Sequence, residues 1–512
     1  MRSPTSSGTE GSAVIRALRR HARESPNAIA IDGERTLTWG ELAAAVAATA
    51  ADLDRIVASV VASRLDDDWR WVVLDLACLS AGHTALPLPR FFTPAQTTAA
   101  LEAAGSDRLI VPAGETPTGI AGGRLARIPG LDLDVIATGI DPSSAPPPAN
   151  TAKITFTSGS TGSPKGVRLS SALLDRVADA LNLRLGRLGK GGHLQTLPLA
   201  VLLENVGGLY RCILAGGRYI LPAAAKRAVT GSSTFDAGRL AAAVTLHEAD
   251  LLITTPLMLE GMTASPHHDA FARLGFVAVG GAPLPGATLA AARAVGIRAY
   301  EGYGLSECGS VVTLNVPGDD RPGTVGRPLA HVLLDQRDGE VTVTGAAFRG
   351  YLGEPEHPHG PVATGDSGRI DADGRLVIVG RIGNRIVTSM GRNISPEWIE
   401  STLQAQWPGL PVCVLDDGEG LTAIVAGQQD AAAVDHALLQ ANHRLPDYAQ
   451  LRARVITGEP FSADNDCLTA NGRLRRRAIR QRFADTSRVL LDGALHAANA
   501  MHDAMSRTEE PS

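Results

Sequence analysis

Thr155-Phe156-Thr157-Ser158-Gly159-Ser160-Thr161-Gly162-Ser163-Pro164-Lys165-Gly166 is the stretch on which the reading of this chain turns. An extended lead-in, Lys153 to Phe156, runs into a loop of hydroxyls and glycines carrying one lysine. Glycines let backbone N–H groups approach phosphate oxygens closely, hydroxyls add donors, and Lys165 adds a charge for the outer phosphates. A Walker A loop is excluded, because Gly166 follows the lysine where that motif needs Ser or Thr. A flexible Ser/Gly linker is the bland alternative, and the apolar lead-in with its single lysine weighs against it.

Downstream, Ala278 to Pro283 reads Ala-Val-Gly-Gly-Ala-Pro, so Gly280, Gly281, Ala282 and Pro283 form a glycine shelf after an apolar strand, on which a flat ligand can lie. Glu301-Gly302-Tyr303-Gly304-Leu305-Ser306-Glu307 sets an aromatic ring between glycines, where it can stack on a purine. Ser306 can bond phosphate, and Glu307 is a hard oxygen ligand suited to Mg²⁺. Thr364-Gly365-Asp366 offers a carboxylate for ribose hydroxyls, fifteen residues before Arg381.

Taken in order, these motifs resemble those of the adenylate-forming superfamily: acyl-CoA synthetases, peptide-synthetase adenylation domains and luciferases. The resemblance runs from about residue 15 to residue 482 and is nearest in motif to fatty acyl-CoA synthetases. It implies ATP, Mg²⁺ and coenzyme A, or carrier-protein phosphopantetheine, as cofactors. Thr157, Ser158, Gly159, Ser160, Thr161, Gly162 and Lys165 are then expected at the phosphates, with Glu301 to Gly304 and the shelf around adenine, Asp366 and Arg381 at ribose or phosphate, and Glu307 as metal ligand. Lys165, Thr161, Glu307 and Arg473 are the expected catalytic residues. Gly383 stands at the expected domain hinge, where the family usually has Asp or Lys, and a salt bridge biasing one pose is lost there. Gly391 is expected on the thiol path.

Leu468 to Arg475 reads Leu-Thr-Ala-Asn-Gly-Arg-Leu-Arg, and the family usually has Gly-Lys where Gly472-Arg473 stands. The chain has four lysines, Lys153, Lys165, Lys190 and Lys226, so no later lysine can substitute. Arginine keeps the charge but is larger and planar. Either Arg473 does the lysine's work, the reading favoured here, or adenylation is impaired and the chain is a partial-reaction enzyme or a degenerate nucleotide or acyl binder. Leu197 to Asn205 resembles the substrate gate of long-chain acyl-CoA synthetases, with Val201, Leu202 and Glu204 expected at the acid pocket. No aspartate for an amino-acid amine stands there, so a fatty or aryl acid is expected. The chain has no carrier domain of its own, which leaves free coenzyme A or a separate carrier protein as acceptor.

The expected fold class is α/β. Helical runs alternate with short apolar runs, as parallel-rich layered sheets demand, and a small β-rich region follows Gly323. A small α+β domain, mobile if the resemblance holds, ends the chain. The expected division is a disordered 1–12, an AMP-binding domain over 13–382, a C-terminal domain over 383–485, and a terminal amphipathic helix (Arg488 to Met505) with tail over 486–512. A net charge of −5 gives no basic field for nucleic acid. Five scattered cysteines suggest neither zinc nor a disulfide framework. The N-terminus lacks the apolar core of a signal peptide and no membrane-length apolar run occurs, so a cytoplasmic enzyme is expected.

Overall fold

The computed structural model describes residues 11–491 except 57–59, 121, 142–149, 158–164, 231–233, 359, 388–392, 418–419, 447–448 and 470–471. Short apolar runs become strands buried on both faces, as in the parallel strands Val60–Ser63 and Thr84–Pro87. Polar side chains stop and start the helices between them. Asp68 caps Trp69–Ala81 by accepting from the Arg70 amide, and Ser170 caps Ser171–Leu185 through the Leu173 amide.

Two large sheets result. The first has nine strands, with the parallel run Ala299–Leu305, Phe276–Val279, Leu251–Thr254, His193–Leu194, Tyr219–Leu221, Ile29–Gly33 at its centre and antiparallel strands at its edges. The second has seven and ends on Lys153–Thr157 paired antiparallel with Lys165–Leu169. One core draws Ile31, Tyr219 and Phe276 from the first sheet, Val61 and Val135 from the second, and Leu42, Trp71, Leu174 and Leu209 from the helices, so the helices weld the two sheets into one body. A four-stranded antiparallel sheet, Leu333–Arg337 through Leu376–Arg381, forms the expected β-rich region.

Beyond residue 385 the chain builds separate cores around a mixed sheet of Val412–Asp416, Leu421–Val425, Leu451–Ile456 and Val489–Leu490, packed by helices Pro396–Gln406 and Ala431–Asn442. The expected α/β class, with a large layered part and a small α+β part, is the observed one. The terminal amphipathic helix needs correction at its start. Val489–Leu490 is extended and pairs antiparallel with Ala453–Arg454, because an open sheet edge offers those amides partners. The rest of that expected helix, from 492, and residues 1–10 of the expected disordered 1–12 lie outside the described residues; at the end of that stretch the expectation is corrected, because Ser12 is buried, caps Ala13–Glu24 and donates to Asp175 at 2.7 Å. No described helix is long and apolar enough to cross a membrane. All five cysteines are buried free thiols.

Candidate active site

A cleft of about 2670 Å³ opens where the carboxyl ends of the parallel strands meet the four-stranded sheet and the C-terminal unit. One end of it, where phosphate is expected, is built on Lys153–Thr157. Lys153 is buried at the start of this strand. Its Nζ donates to Asp75 Oδ1 at 2.6 Å, to Asn205 Oδ1, and to Tyr210 Oη at 3.1 Å, and Tyr210 Oη donates to Asp75 Oδ2 at 2.7 Å. This polar knot ties the loop-bearing strand to two helices, and removing one charged partner would cost about 3–5 kcal/mol. Ser158, Gly159, Ser160, Thr161 and Gly162, like the Thr157 side chain, lie outside the described residues. Lys165 resumes at Lys165–Leu169. Its Nζ lies 4.8 Å over the Tyr351 ring and 3.7 Å from Glu354.

Glu307 follows the strand Ala299–Leu305 in a tight turn, Ser306–Cys308. Tyr351 Oη donates to Glu307 Oε1 at 2.9 Å. Gly304 is required there by close approach, since a Cβ would lie 1.7 Å from the Ser310 carbonyl. Ser306 lines the cleft beside Glu307. Tyr303 Oη donates to Asp366 Oδ2 at 2.5 Å, while Arg381 Nε lies 3.0 Å from Asp366 Oδ1. Antiparallel register sets Asp366 directly opposite Arg381. Burial pushes the Asp366 carboxyl up, and the Arg381 charge opposes it. Gly280, Gly281, Ala282 and Pro283 continue Phe276–Val279 into the cleft wall, with Glu301 and Gly302 on the neighbouring strand. Burial raises the Glu301 carboxyl to about 8.

Arg473 reaches this wall from the C-terminal unit. Its Nε donates to the Gly281 carbonyl, and its own amide donates to Thr469 Oγ1 at 3.1 Å. The guanidinium is exposed in the open cleft; partial desolvation by the cleft walls, with the Arg381 charge, lowers it below the usual arginine value. Ser395 Oγ donates to the Val379 carbonyl at 3.0 Å, a second link between the two parts. Gly383 sits in the turn Ile382–Asn384, with open space where a Cβ would be. The ion pair absent at 383 has a neighbouring counterpart: Asn384 Nδ2 donates to Glu397 at 2.7 Å, and Arg476 lies 3.1 Å from the same oxygen. Gly391 lies outside the described residues.

The opposite end of the cleft is apolar. Val201, Leu202, Leu203 and Gly207 line the cleft, with Leu181, Ile253 and Ala278. Glu204 does not join them. It is buried behind the wall, where its carboxylate accepts from Tyr219 Oη at 2.8 Å and the Leu197 amide at 3.1 Å, and meets His193 Nε2 at 3.0 Å. Arg211 can only donate to His193 Nδ1, at 2.9 Å, so Nε2 carries the imidazole proton and donates to Glu204. Burial holds His193 below its ordinary value, consistent with a neutral ring. Glu204 therefore acts on the wall from behind.

Sequence reading missed Tyr351 and Glu354. Their signal lies in Gly350-Tyr351-Leu352-Gly353, an aromatic among glycines like the one that singled out Tyr303.

Fold and cleft together define a two-part nucleotide-dependent enzyme. The AMP-binding enzyme family model matches residues 18–352, and the chain belongs to that family. A feruloyl-CoA synthase of an Amycolatopsis species is 27% identical over 515 aligned positions, covering 91% of this chain and 98% of the relative. A long-chain-fatty-acid–CoA ligase of Mycobacterium bovis is 26% identical, covering 65% of this chain and 68% of the relative. The solved o-succinylbenzoate CoA synthetase of Bacillus subtilis, in complex with an acyl-adenylate intermediate, superposes with a TM-score of 0.72 at 21% identity, covering 91% of this chain and 97% of that one. At that identity the likeness speaks to fold.

Proposed function

We propose that this chain is an AMP-forming acid–thiol ligase for a fatty or aryl carboxylic acid, with coenzyme A as acceptor. The observation that carries the reading is Arg473, seated in the cleft against the Gly281 carbonyl, beside Asp366 and Arg381. In the first step a carboxylate oxygen attacks the α-phosphorus of ATP, the bond to the bridging oxygen breaks, and pyrophosphate leaves. Arg473 balances the charge gathered by carboxylate and α-phosphate, and its contact with the shelf aims it without reorganisation during reaction. Asp366, oriented by Tyr303 and Arg381, accepts the ribose hydroxyls. Lys165 and the hydroxyls of residues 158–161 hold the outer phosphates. In the second step the thiol gives up its proton, its sulfur attacks the acyl carbon, and AMP leaves. Gly383 is the pivot that brings residues near Gly391 to the thiol path, separating the 13–382 and 383–485 units.

Glu307 fits Mg²⁺. Its Oε1 is engaged by Tyr351, Oε2 takes no hydrogen bond among the described residues, and no cluster of three ligating side chains occurs among them. A lone carboxylate suits an ion that completes its shell with phosphate and water. When bound, Mg²⁺ would neutralise charge on the outer phosphates.

The apolar wall, with the feruloyl and long-chain-fatty-acid ligases among the relatives, supports the acid class and the acceptor. ATP–pyrophosphate exchange across a panel of fatty, aryl and short-chain acids tests the first step. Acid-dependent exchange is expected, followed by thioester formation with coenzyme A. Exchange followed by transfer only to purified carrier proteins would make the chain a carrier-loading ligase. ATP binding without exchange for any acid would overturn the reading.

A further inference from the structure

We propose that Tyr351 is a positioning residue for the phosphate end of the cleft, its hydroxyl setting the Glu307 carboxylate and its ring face holding the Lys165 ammonium. The inference rests on reading the cleft as the Mg·ATP site. Two side chains of opposite charge, one read as the metal ligand and one as a phosphate cation, meet one tyrosine: Oη to Glu307 Oε1 at 2.9 Å, and Lys165 Nζ 4.8 Å from the ring centre. Tyr351 is itself fixed. The Arg168 amide donates to the Gly350 carbonyl at 3.0 Å, the Arg349 amide to the Arg168 carbonyl at 2.8 Å, and the Leu352 amide to the Gly166 carbonyl at 2.8 Å. These bonds fasten 349–352 to the strand that follows the glycine-rich loop. On the other side the Phe348 amide donates to the Glu307 carbonyl at 2.9 Å, and the Phe348 ring meets Tyr351 edge-on at 4.9 Å. One short segment thus joins the element bearing the lysine to the element bearing the carboxylate.

The chemistry follows from the geometry. The Tyr351 hydroxyl is an O–H donor at neutral pH, and Glu307 Oε1 is its acceptor. By occupying Oε1 it restricts the carboxylate and leaves Oε2 for a cation, and a preset ligand loses less freedom when the cation arrives. The ring face attracts Lys165 without neutralising it. Glu354, 3.7 Å from Nζ, is the weaker second anchor, partly exposed, from which phosphate oxygens can draw the ammonium.

The test is ATP affinity by titration calorimetry on the full chain, in Mg²⁺ and in EDTA, for the parent, Tyr351→Phe and Tyr351→Leu. Thermal midpoints establish that each variant is folded. Tyr351→Phe should bind ATP about fivefold more weakly than the parent in Mg²⁺ and equally in EDTA, because one hydrogen bond to the carboxylate is lost while the ring remains. Tyr351→Leu should be weaker in both, because Lys165 also loses its platform. A Tyr351→Phe chain with the parent's ratio of affinities in Mg²⁺ and EDTA overturns the proposal, as does a Tyr351→Leu chain with the parent's affinity in EDTA. Binding needs no turnover, so absence of acid-dependent exchange would count against the ligase reading and not against Tyr351.

Discussion

Arg473 shows what one residue can carry. Its place was legible because a Gly-Arg pair stands near the end of an ordered motif series. Its bond to the Gly281 carbonyl was not, since those residues lie 192 positions apart and meet only through the fold. If the guanidinium balances charge at the α-phosphate, Arg473→Ala should slow acid-dependent pyrophosphate exchange by about a hundredfold or more. Thioester formation from a supplied acyl adenylate should change far less, and comparing the two half-reactions checks this. Glu301 gives a second prediction, in pH. Its folded carboxyl is raised to about 8 from an ordinary 4.5. Between those values the folded chain keeps a proton that the unfolded chain has released, so this group's contribution to stability is full below the lower value and lost as pH rises through the upper one. Glu301→Gln should therefore narrow the fall in thermal midpoint between about pH 5 and about pH 8. An unchanged fall would sink the assignment.

Among the elements, the helix that begins at Leu203 lines the apolar end of the cleft with Leu203 and Gly207. Residues Leu203–Tyr210 are π-helical, a wider turn common at functional sites. The gate resemblance over Leu197 to Asn205 does not show the π turn, because an i→i+5 register leaves no distinct apolar spacing in a segment so uniformly buried. Gly207 lies on its cleft side, where a Cβ would sit 3.4 Å from Ile253 Cδ1, 3.7 Å from Leu203 Cδ1 and 3.8 Å from Leu181 Cδ1. That is ordinary packing, so Gly207→Ala should fold and act almost as the parent. Gly207→Val adds two further methyl groups to the channel. It should lower kcat/KM for long or bulky acids by about tenfold, with short acids spared, as the panel of acids would record. The terminal strand teaches the opposite lesson. Val489–Leu490 pairs across the sheet because Leu451–Ile456 has an open edge, a tertiary fact that local pattern does not contain.

At the scale of the whole molecule, the two parts meet in one pose, and the fit is close. Gly380, on the strand before the turn at Gly383, would place a Cβ 2.2 Å from Ser395 Oγ and 2.7 Å from Glu397 Oε2. Gly380→Ala should therefore turn Ser395 and Glu397 aside and break the Ser395–Val379 link that helps hold the C-terminal unit in this pose. Pyrophosphate exchange should fall about tenfold or more while thioester formation from supplied acyl adenylate persists, and equal loss of both would show that the contact only stabilises the fold. The glycine at 383 is not demanded by this pose, which has room for a side chain there. The layered α/β body and the order of motifs were legible because loop composition and apolar runs are local. Tyr351 was not, because its partner Glu307 is 44 residues away. The lysine inventory carries one more consequence. Lys153 is buried against Asp75, Lys190 and Lys226 are exposed, and Lys165 is the one lysine lining the cleft, at its phosphate end. An acyl adenylate is a mixed anhydride that acylates primary amines. If the acyl adenylate forms where Arg473 meets the Gly281 shelf, it would lie beside a guanidinium, a far weaker nucleophile than a lysine amine, and the chain would be shielded there from acylating itself.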